Sequence, residues 1–199
     1  TLIKEKKIKK EKPLPEITEE EKPFEIPKGW EWARLGEIGV TQTGTTPSTS
    51  KSEYFNGEVP FIKPADISSK GINFDNESLT LLGLEKGRRI EKDSVLMVCI
   101  GGSIGKSYYT DRLCSCNQQI NSITPLMNIN NKLIYYFIST QYFYNKVIET
   151  ATGTATPIIK KSNWEKIIIP LPSVAEQQRI VKKVDEIMAY LDELEKTII

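Results

Sequence analysis

The stretch Trp164-Glu-Lys-Ile-Ile-Ile-Pro-Leu-Pro-Ser-Val-Ala-Glu-Gln-Gln-Arg-Ile-Val181, continued to Ile199, decides how this chain is organised. Ile167 to Ile169 form a strand-like apolar run, which Pro170 and Pro172 are expected to stop. Ser173 then stands as an N-cap, with Glu176 three residues later, a capping box that opens a helix. Beyond it Ile180, Val184, Ile187, Leu191, Leu194 and Ile198 recur at spacings of four, three, four, three and four. That is an a/d heptad, with one narrow apolar seam. A helix facing a globular core shows a wider stripe, so the seam favours a partner helix over packing on its own domain alone.

Upstream there must be a core. The chain has 199 residues, enough for one ordinary domain plus a helical extension. Its 39% apolar and 9% aromatic residues cannot all sit in one helix. Net charge is +1 and by itself selects no partner. The charge is uneven, however. Residues 28–173 carry 16 Lys/Arg against 13 Asp/Glu, a net of +3, and residues 174–199 carry 4 against 6, a net of −2. The middle segment leans toward an anionic partner.

Three cysteines (Cys99, Cys114 and Cys116), no secretion signal and no long apolar run point to a reducing, cytoplasmic setting away from membranes. On a strand, Cys114 and Cys116 would share a face. With no histidine in the chain, buried thiols are the expectation and a zinc site is not.

Thr1 to Lys12 is lysine-rich and reads as the end of a helix that began earlier; Pro13 to Pro27, rich in Pro and Glu, reads as an extended linker. Residues 28–172 then read as one domain and 173–199 as the helix. Trp30 and Trp32 alternate and face one way on a strand. Gly39 to Ser52 reads as a loop, Glu58 to Ile67 as a short strand and Ser94 to Ile100 as a buried strand. Tyr108 to Pro125 predicts two more strands. A helix capped by Asn130 or Asn131 is expected from Lys132 to about Thr150, with Leu133, Phe137, Tyr144, Val147 and Ile148 inward. The fold class is α+β, with a mixed domain followed by a coiled-coil-type helix.

Ile100-Gly-Gly-Ser-Ile-Gly-Lys-Ser107 almost imitates a phosphate-binding loop, but its leading glycine is one place late. Such a loop must also open a helix, and Ser107 onward reads as strand or turn. A tight glycine turn between strands fits better than a nucleotide-binding enzyme using Gly101–Ser107. Without histidine there is no Ser-His or Cys-His pair, and no glycine-rich cofactor fingerprint is present, so neither catalytic residue, metal nor cofactor is expected. Glu19-Glu20-Glu21 reads as a solvated run.

Several stretches, in order, resemble the specificity (S) subunits of type I restriction-modification enzymes. Thr43-Gly-Thr-Thr-Pro47 resembles a segment near the start of their target recognition domains. Val59-Pro-Phe-Ile-Lys-Pro-Ala-Asp-Ile67 follows the family's Ile-Pro-Trp-Ile pattern with Phe61 for Trp. The Gly102-Ser-Ile-Gly-Lys106 turn and Asn117-Gln-Gln119 follow. Gly153-Thr-Ala-Thr-Pro-Ile158 is similar to the turn before the last strand, although Ile159-Lys160-Lys161 replaces the usual Asn-Ile-Ser. Ile169-Pro-Leu-Pro172 with Ala175-Glu-Gln-Gln-Arg-Ile180 resembles the junction of domain and conserved helix. The likeness covers essentially the whole chain.

The resemblance implies one recognition half of an S subunit, reading one part of a bipartite site in double-stranded DNA. It implies no chemistry in this chain. Methyltransferase (M) subunits would bind S-adenosylmethionine and flip the target base, and the restriction (R) subunit would join through them. The helix would pair with a second S half or with another copy. The recognition domain of a fused type IIG-like methyltransferase and a coiled-coil module without DNA are the alternatives. On the DNA reading, loop cations at Lys51, Lys63, Lys70, Arg88, Arg89, Lys106, Lys160 and Lys161 are candidates for phosphates. Thr45, Thr46, Ser48, Thr49, Asn56, Ser68, Ser69 and Gln118 have short polar groups suited to base edges.

Overall fold

The β strands explain where the core lies. A computed structural model describes residues 13–198 of the chain, so the expected helix end at 1–12 lies outside the described residues. In chain order the strands and helices open with β1 (Glu31–Arg34), β2 (Gly39–Thr43), β3 (Phe55–Ile62), β4 (Ile67–Ser68), β5 (Gly71–Ile72) and β6 (Ser78–Leu79). Next come α1 (Leu81–Lys86), β7 (Val95–Val98), β8 (Ser107–Tyr109), β9 (Ser115–Cys116) and β10 (Ile120–Pro125). The chain closes with α2 (Asn131–Ile138), α3 (Gln141–Thr150), α4 (Lys161–Trp164), β11 (Ile168–Leu171) and α5 (Val174–Ile198). The architecture is mixed α and β with a long C-terminal helix, as the sequence predicts.

The central sheet has the order β2-β10-β7-β8 and is antiparallel throughout. Both its faces are covered. Val95, Met97 and Ile123 point to one side, packed with Ile134, Ile138, Phe143, Val147 and Trp164. Leu96, Val98 and Ile120 point to the other, with Ile62, Ile67, Ile90, Cys114 and Cys116. That is why β7 reads as a continuous apolar run and not as an alternation. β3 lies between β6 and β9 in a second sheet, parallel to β9.

Several local expectations need correction. Gly39 to Thr43 is strand β2, not loop, because Thr and Gln side chains are tolerated where Gln42 pairs with Ser122 on β10. Tyr108 to Pro125 holds parts of three strands, not two. Pro170 does not stop the final strand, since β11 is an edge strand pairing only with β1, where a missing N–H is harmless. The expected single helix to Thr150 is broken at Ser139. Asn130 caps α2, its Oδ1 accepting from the Lys132 and Leu133 amides, and Thr140 caps α3 by accepting from the Phe143 amide. A second strong N-cap residue inside the pattern restarts the helix in a new direction. Ile134, Ile138 and Phe143 are consequently buried, while Tyr144 and Ile148 are exposed.

The linker is also more than an extended tether. Arg34 is 2% exposed and uses all its donors. Nε donates to the Pro15 carbonyl at 2.6 Å, Nη1 to the Lys166 carbonyl at 2.7 Å and Nη2 to the Glu16 carbonyl at 2.9 Å. The Glu21 carboxylate takes the remaining fork at 2.9 and 3.0 Å. Glu21 is therefore an ion-pair partner, not one of a solvated run, and Arg34 lowers its carboxyl pKa through that hydrogen bond.

α5 begins directly after Ser173, as predicted. The Glu176 carboxylate accepts from Trp30 Nε1 at 2.9 Å. Gln177 is buried, accepting from the Asn130 amide at 2.9 Å and donating to the Pro172 carbonyl at 3.0 Å. Val181 is buried as well. Asp185 accepts from Lys132 Nζ at 2.7 Å and from the Tyr136 hydroxyl. Desolvation pushes the Asp185 carboxyl up, but the bonds from Lys132 and Tyr136 outweigh it and hold the carboxyl below its ordinary value. The hydrogen bond to Asp185 raises Lys132. A depressed carboxyl contributes stability above its unfolded pKa of about 3.9, lost as pH falls through the lower folded value. A raised lysine contributes below its unfolded value of about 10.4, lost as pH rises past the folded one. The joint should thus hold from about pH 5 to 9 and loosen under acid, which amide hydrogen exchange of the first turns of α5 would show.

Candidate nucleic-acid interface

The loops that carry the candidate residues are tied to one another by backbone hydrogen bonds. The Thr45 amide donates to the Cys116 carbonyl at 2.9 Å and the Gly44 amide to Ile120 at 3.0 Å. The Asn117 amide donates to Ile62 at 3.1 Å, so Lys63 begins beside the same stretch. The Cys99 amide donates to Gln119 at 2.8 Å and the Ile159 amide to Cys99 at 3.0 Å, which brings in Lys160. The Val98 amide donates to Lys106 at 2.8 Å. Residues 44–47, 62–63, 98–106, 116–120 and 158–160 thereby form one edge, where β2 and β7 end and β10 begins.

Glycine permits this closeness. A Cβ on Gly44 would lie 2.1 Å from the Asn117 carbonyl oxygen. In the turn after β7, Gly101 and Gly105 have φ of +77° and +88°. The stretch makes a single 3-10 turn at Gly101–Ser103 and enters strand β8, so no helix N-terminus faces it. The phosphate-loop alternative fails on that geometry.

Six candidates meet on the edge: Thr45, Thr46, Lys63, Lys106, Gln118 and Lys160. The Thr46 hydroxyl donates to Gln118 Oε1 at 2.7 Å, joining the two loops through their own polar groups. Lys106 and Lys160 are exposed and have no acidic partner among the described residues. Lys63 pairs with Glu77. Lys161 is held by Glu165 and Thr41, so it is less available than Lys160.

Other candidates lie elsewhere. Ser69 and Lys70 sit in the β4–β5 turn and line a groove against α5 with Tyr108, Tyr136 and Asp192. Lys51 lies 3.9 Å from Glu53, and Ser48 bonds Ser50 at 2.9 Å in the same exposed loop. Arg88 and Arg89 follow α1; the Arg88 amide donates to Ser115 Oγ, and Arg89 pairs with Glu91 at 2.6 Å. Gln42, which donates to the Arg89 carbonyl at 3.0 Å, ties that segment to β2 and was not among the sequence candidates.

The cysteines play no part at this surface. All three are buried, and desolvation pushes Cys99 up to about 11 and Cys114 up to about 12, with Cys116 also raised. They are thiols at neutral pH and weak nucleophiles.

On the helix, the seam divides. Ile180 and Val184 are half-buried, whereas Ile187 is 48%, Leu191 49% and Leu194 38% exposed. The side chain of Ile198 lies outside the described residues. The deepest burial and the hydrogen bonds to the domain come from Gln177, Val181 and Asp185, a stripe beside the heptad seam. Two of its three members are polar, which hid it from a search for apolar periodicity. Among the described residues no helix is long and apolar enough to cross a membrane.

Residues 27–199 match the family model described as the type I restriction modification DNA specificity domain. The chain is 30% identical over 204 residues to the Escherichia coli type I restriction enzyme EcoAI specificity subunit, covering 97% of this chain and 34% of that protein. It is 27% identical to the Methanocaldococcus jannaschii MjaIX specificity subunit, covering 85% of this chain and 39% of that one. The chain therefore spans little more than a third of the curated relatives it matches. In fold it is similar to the HsdS subunit from Thermoanaerobacter tengcongensis, with a TM-score of 0.70, 21% identity and 88% of this chain covered against 41% of that one. With the family model matched over residues 27–199, this chain belongs to the family of type I restriction-modification DNA specificity domains.

Proposed function

We propose that residues 28–172 form a target recognition domain that reads one half of a bipartite site in duplex DNA. In this reading residues 13–27 lead into the domain, and residues 173–199 form the helix that pairs with a second half and helps dock modification subunits. The domain performs no chemistry. Methyl transfer, cleavage and ATP hydrolysis belong to partner subunits, in the cytoplasm. The observation that carries the reading is the single edge that collects Thr45, Thr46, Gln118, Lys63, Lys106 and Lys160 from five separate segments. Lysines there position the phosphates, while Thr and Gln offer donors and acceptors that suit base edges.

Fluorescence anisotropy with duplex DNA across a salt series tests it. Each phosphate neutralised contributes about −0.9 to the slope of log K against log salt. Lys160→Ala should weaken binding to all sequences alike and flatten the slope by about one such increment. Lys161→Ala should do less, because Glu165 already holds that ammonium. A wild-type slope near zero would refute the DNA reading.

A further inference from the structure

Among the described residues the last hydrogen bonds between α5 and the domain are those of Asp185. From Glu186 to Thr197 every residue is exposed. Beside this outer part lies a groove of about 790 Å³, walled by Tyr108, Tyr109 and Tyr135 on the domain and by Met188 and Asp192 on the helix. The helix thus has room to swing once it passes Asp185. Upstream it is pinned by Trp30, Asn130 and buried Val181. Lys132 and Tyr136 lie on α2, whose Ile134 and Ile138 pack under the central sheet that ends in the candidate edge. A stiff path therefore runs from that edge through the sheet and α2 to Asp185.

We propose that Asp185, gripped by Lys132 and Tyr136, is a positioning residue that fixes the angle between the DNA-reading edge and α5. It thereby sets how far apart two half-sites must lie. This rests on the reading that paired helices hold two recognition domains on one duplex. From Asp185 to Ile198 the helix extends about 20 Å at 1.5 Å per residue. A tilt of about 10° there moves its far end by about 3.4 Å, the rise of one base pair. Loosening one contact is enough to blur the spacing by a base pair.

Two measurements on the chain test this. Nitroxides at Glu85→Cys and Tyr190→Cys report the distance between domain and helix by double electron–electron resonance, the native thiols being buried. Asp185→Ala should broaden that distribution about twofold. It should also cut the preference for the best half-site spacing over one longer by a base pair by about tenfold, with single half-site affinity unchanged. Lys132→Asp with Asp185→Lys, which reverses the pair, should restore the narrow distribution. Lys132→Ala and Tyr136→Phe carry the same test if Asp185→Ala fails to fold. An unchanged distribution in these variants overturns the proposal, as does equal loss of affinity for single half-sites. If the wild type binds no duplex, the DNA reading fails, and the distance distribution alone still decides whether Asp185 fixes the angle.

Discussion

Ile187→Asp combined with Leu191→Asp should leave a folded monomer, whereas the wild type should form a two-fold dimer. These side chains are already about half covered, at 48% and 49% exposure, so pairing completes the burial of each. Full burial of such a side chain is worth about 1.5–3 kcal/mol, and half of that over four side chains in a dimer gives about 3–6 kcal/mol. Losing it should raise the dimer Kd by about 10²–10⁴-fold, before the added cost of burying carboxylates. Charge favours an antiparallel pair. Arg179, Lys182 and Lys183 lie near the start of α5, and Asp192, Glu193 and Glu195 near its end, so antiparallel helices set opposite charges against each other. Such a dimer would read an inverted repeat of one half-site. The domain core does not include these residues, so the variant should keep its fold by circular dichroism. Light scattering that shows a wild-type monomer at high micromolar concentration would refute the pairing, and so would a double variant that dimerises unchanged.

Arg34→Ala should lower the melting temperature more than any single change on the reading edge. Its guanidinium is buried and makes five hydrogen bonds, to three backbone carbonyls and both Glu21 oxygens. Removing one partner of a buried charged network costs about 3–5 kcal/mol, and the carbonyls of Pro15, Glu16 and Lys166 lose their donor. Glu21 is 40% exposed and can return to water, which places the expected cost near about 3 kcal/mol. For a chain of this size that corresponds to about 6–12 °C. Arg34→Lys should recover little, since one ammonium cannot reproduce the planar fork. The linker from Pro13 should also become protease-sensitive. Melting within 2 °C of wild type, within the error expected of a surface change, would show that the fork is not what holds the linker.

Neither Arg34 nor Asp185 could be found in the sequence. A lone arginine in Glu-Trp-Ala-Arg looks like any strand-end cation, and its partners lie 13 to 132 positions away. Asp185 falls between heptad positions, where a carboxylate is ordinary. The break between α2 and α3 was visible only as Ser139-Thr140, two residues that a helix interior also tolerates. Pro170 misled because a proline forbids a central strand and not an edge strand, and edge or centre is a property of the sheet.

What the sequence alone determined was local or periodic. The α5 start at Ser173, its heptad seam, the buried β7 run and the glycine turn at 101–106 all follow from residue spacing and backbone sterics over fewer than thirty residues. Motif order was enough to place the chain in its family. The tertiary structure decided which loops share an edge, because that depends on β2, β10 and β7 pairing across distant positions. Lysines 51, 63, 70, 106, 160 and 161 look alike in the chain. Only folding put Lys63, Lys106 and Lys160 together, gave Lys161 to Glu165 and turned Lys70 toward the helix groove. Charge pairing and burial are set by neighbours in space, and one-dimensional spacing does not encode those neighbours beyond a turn of helix or a pair of strands.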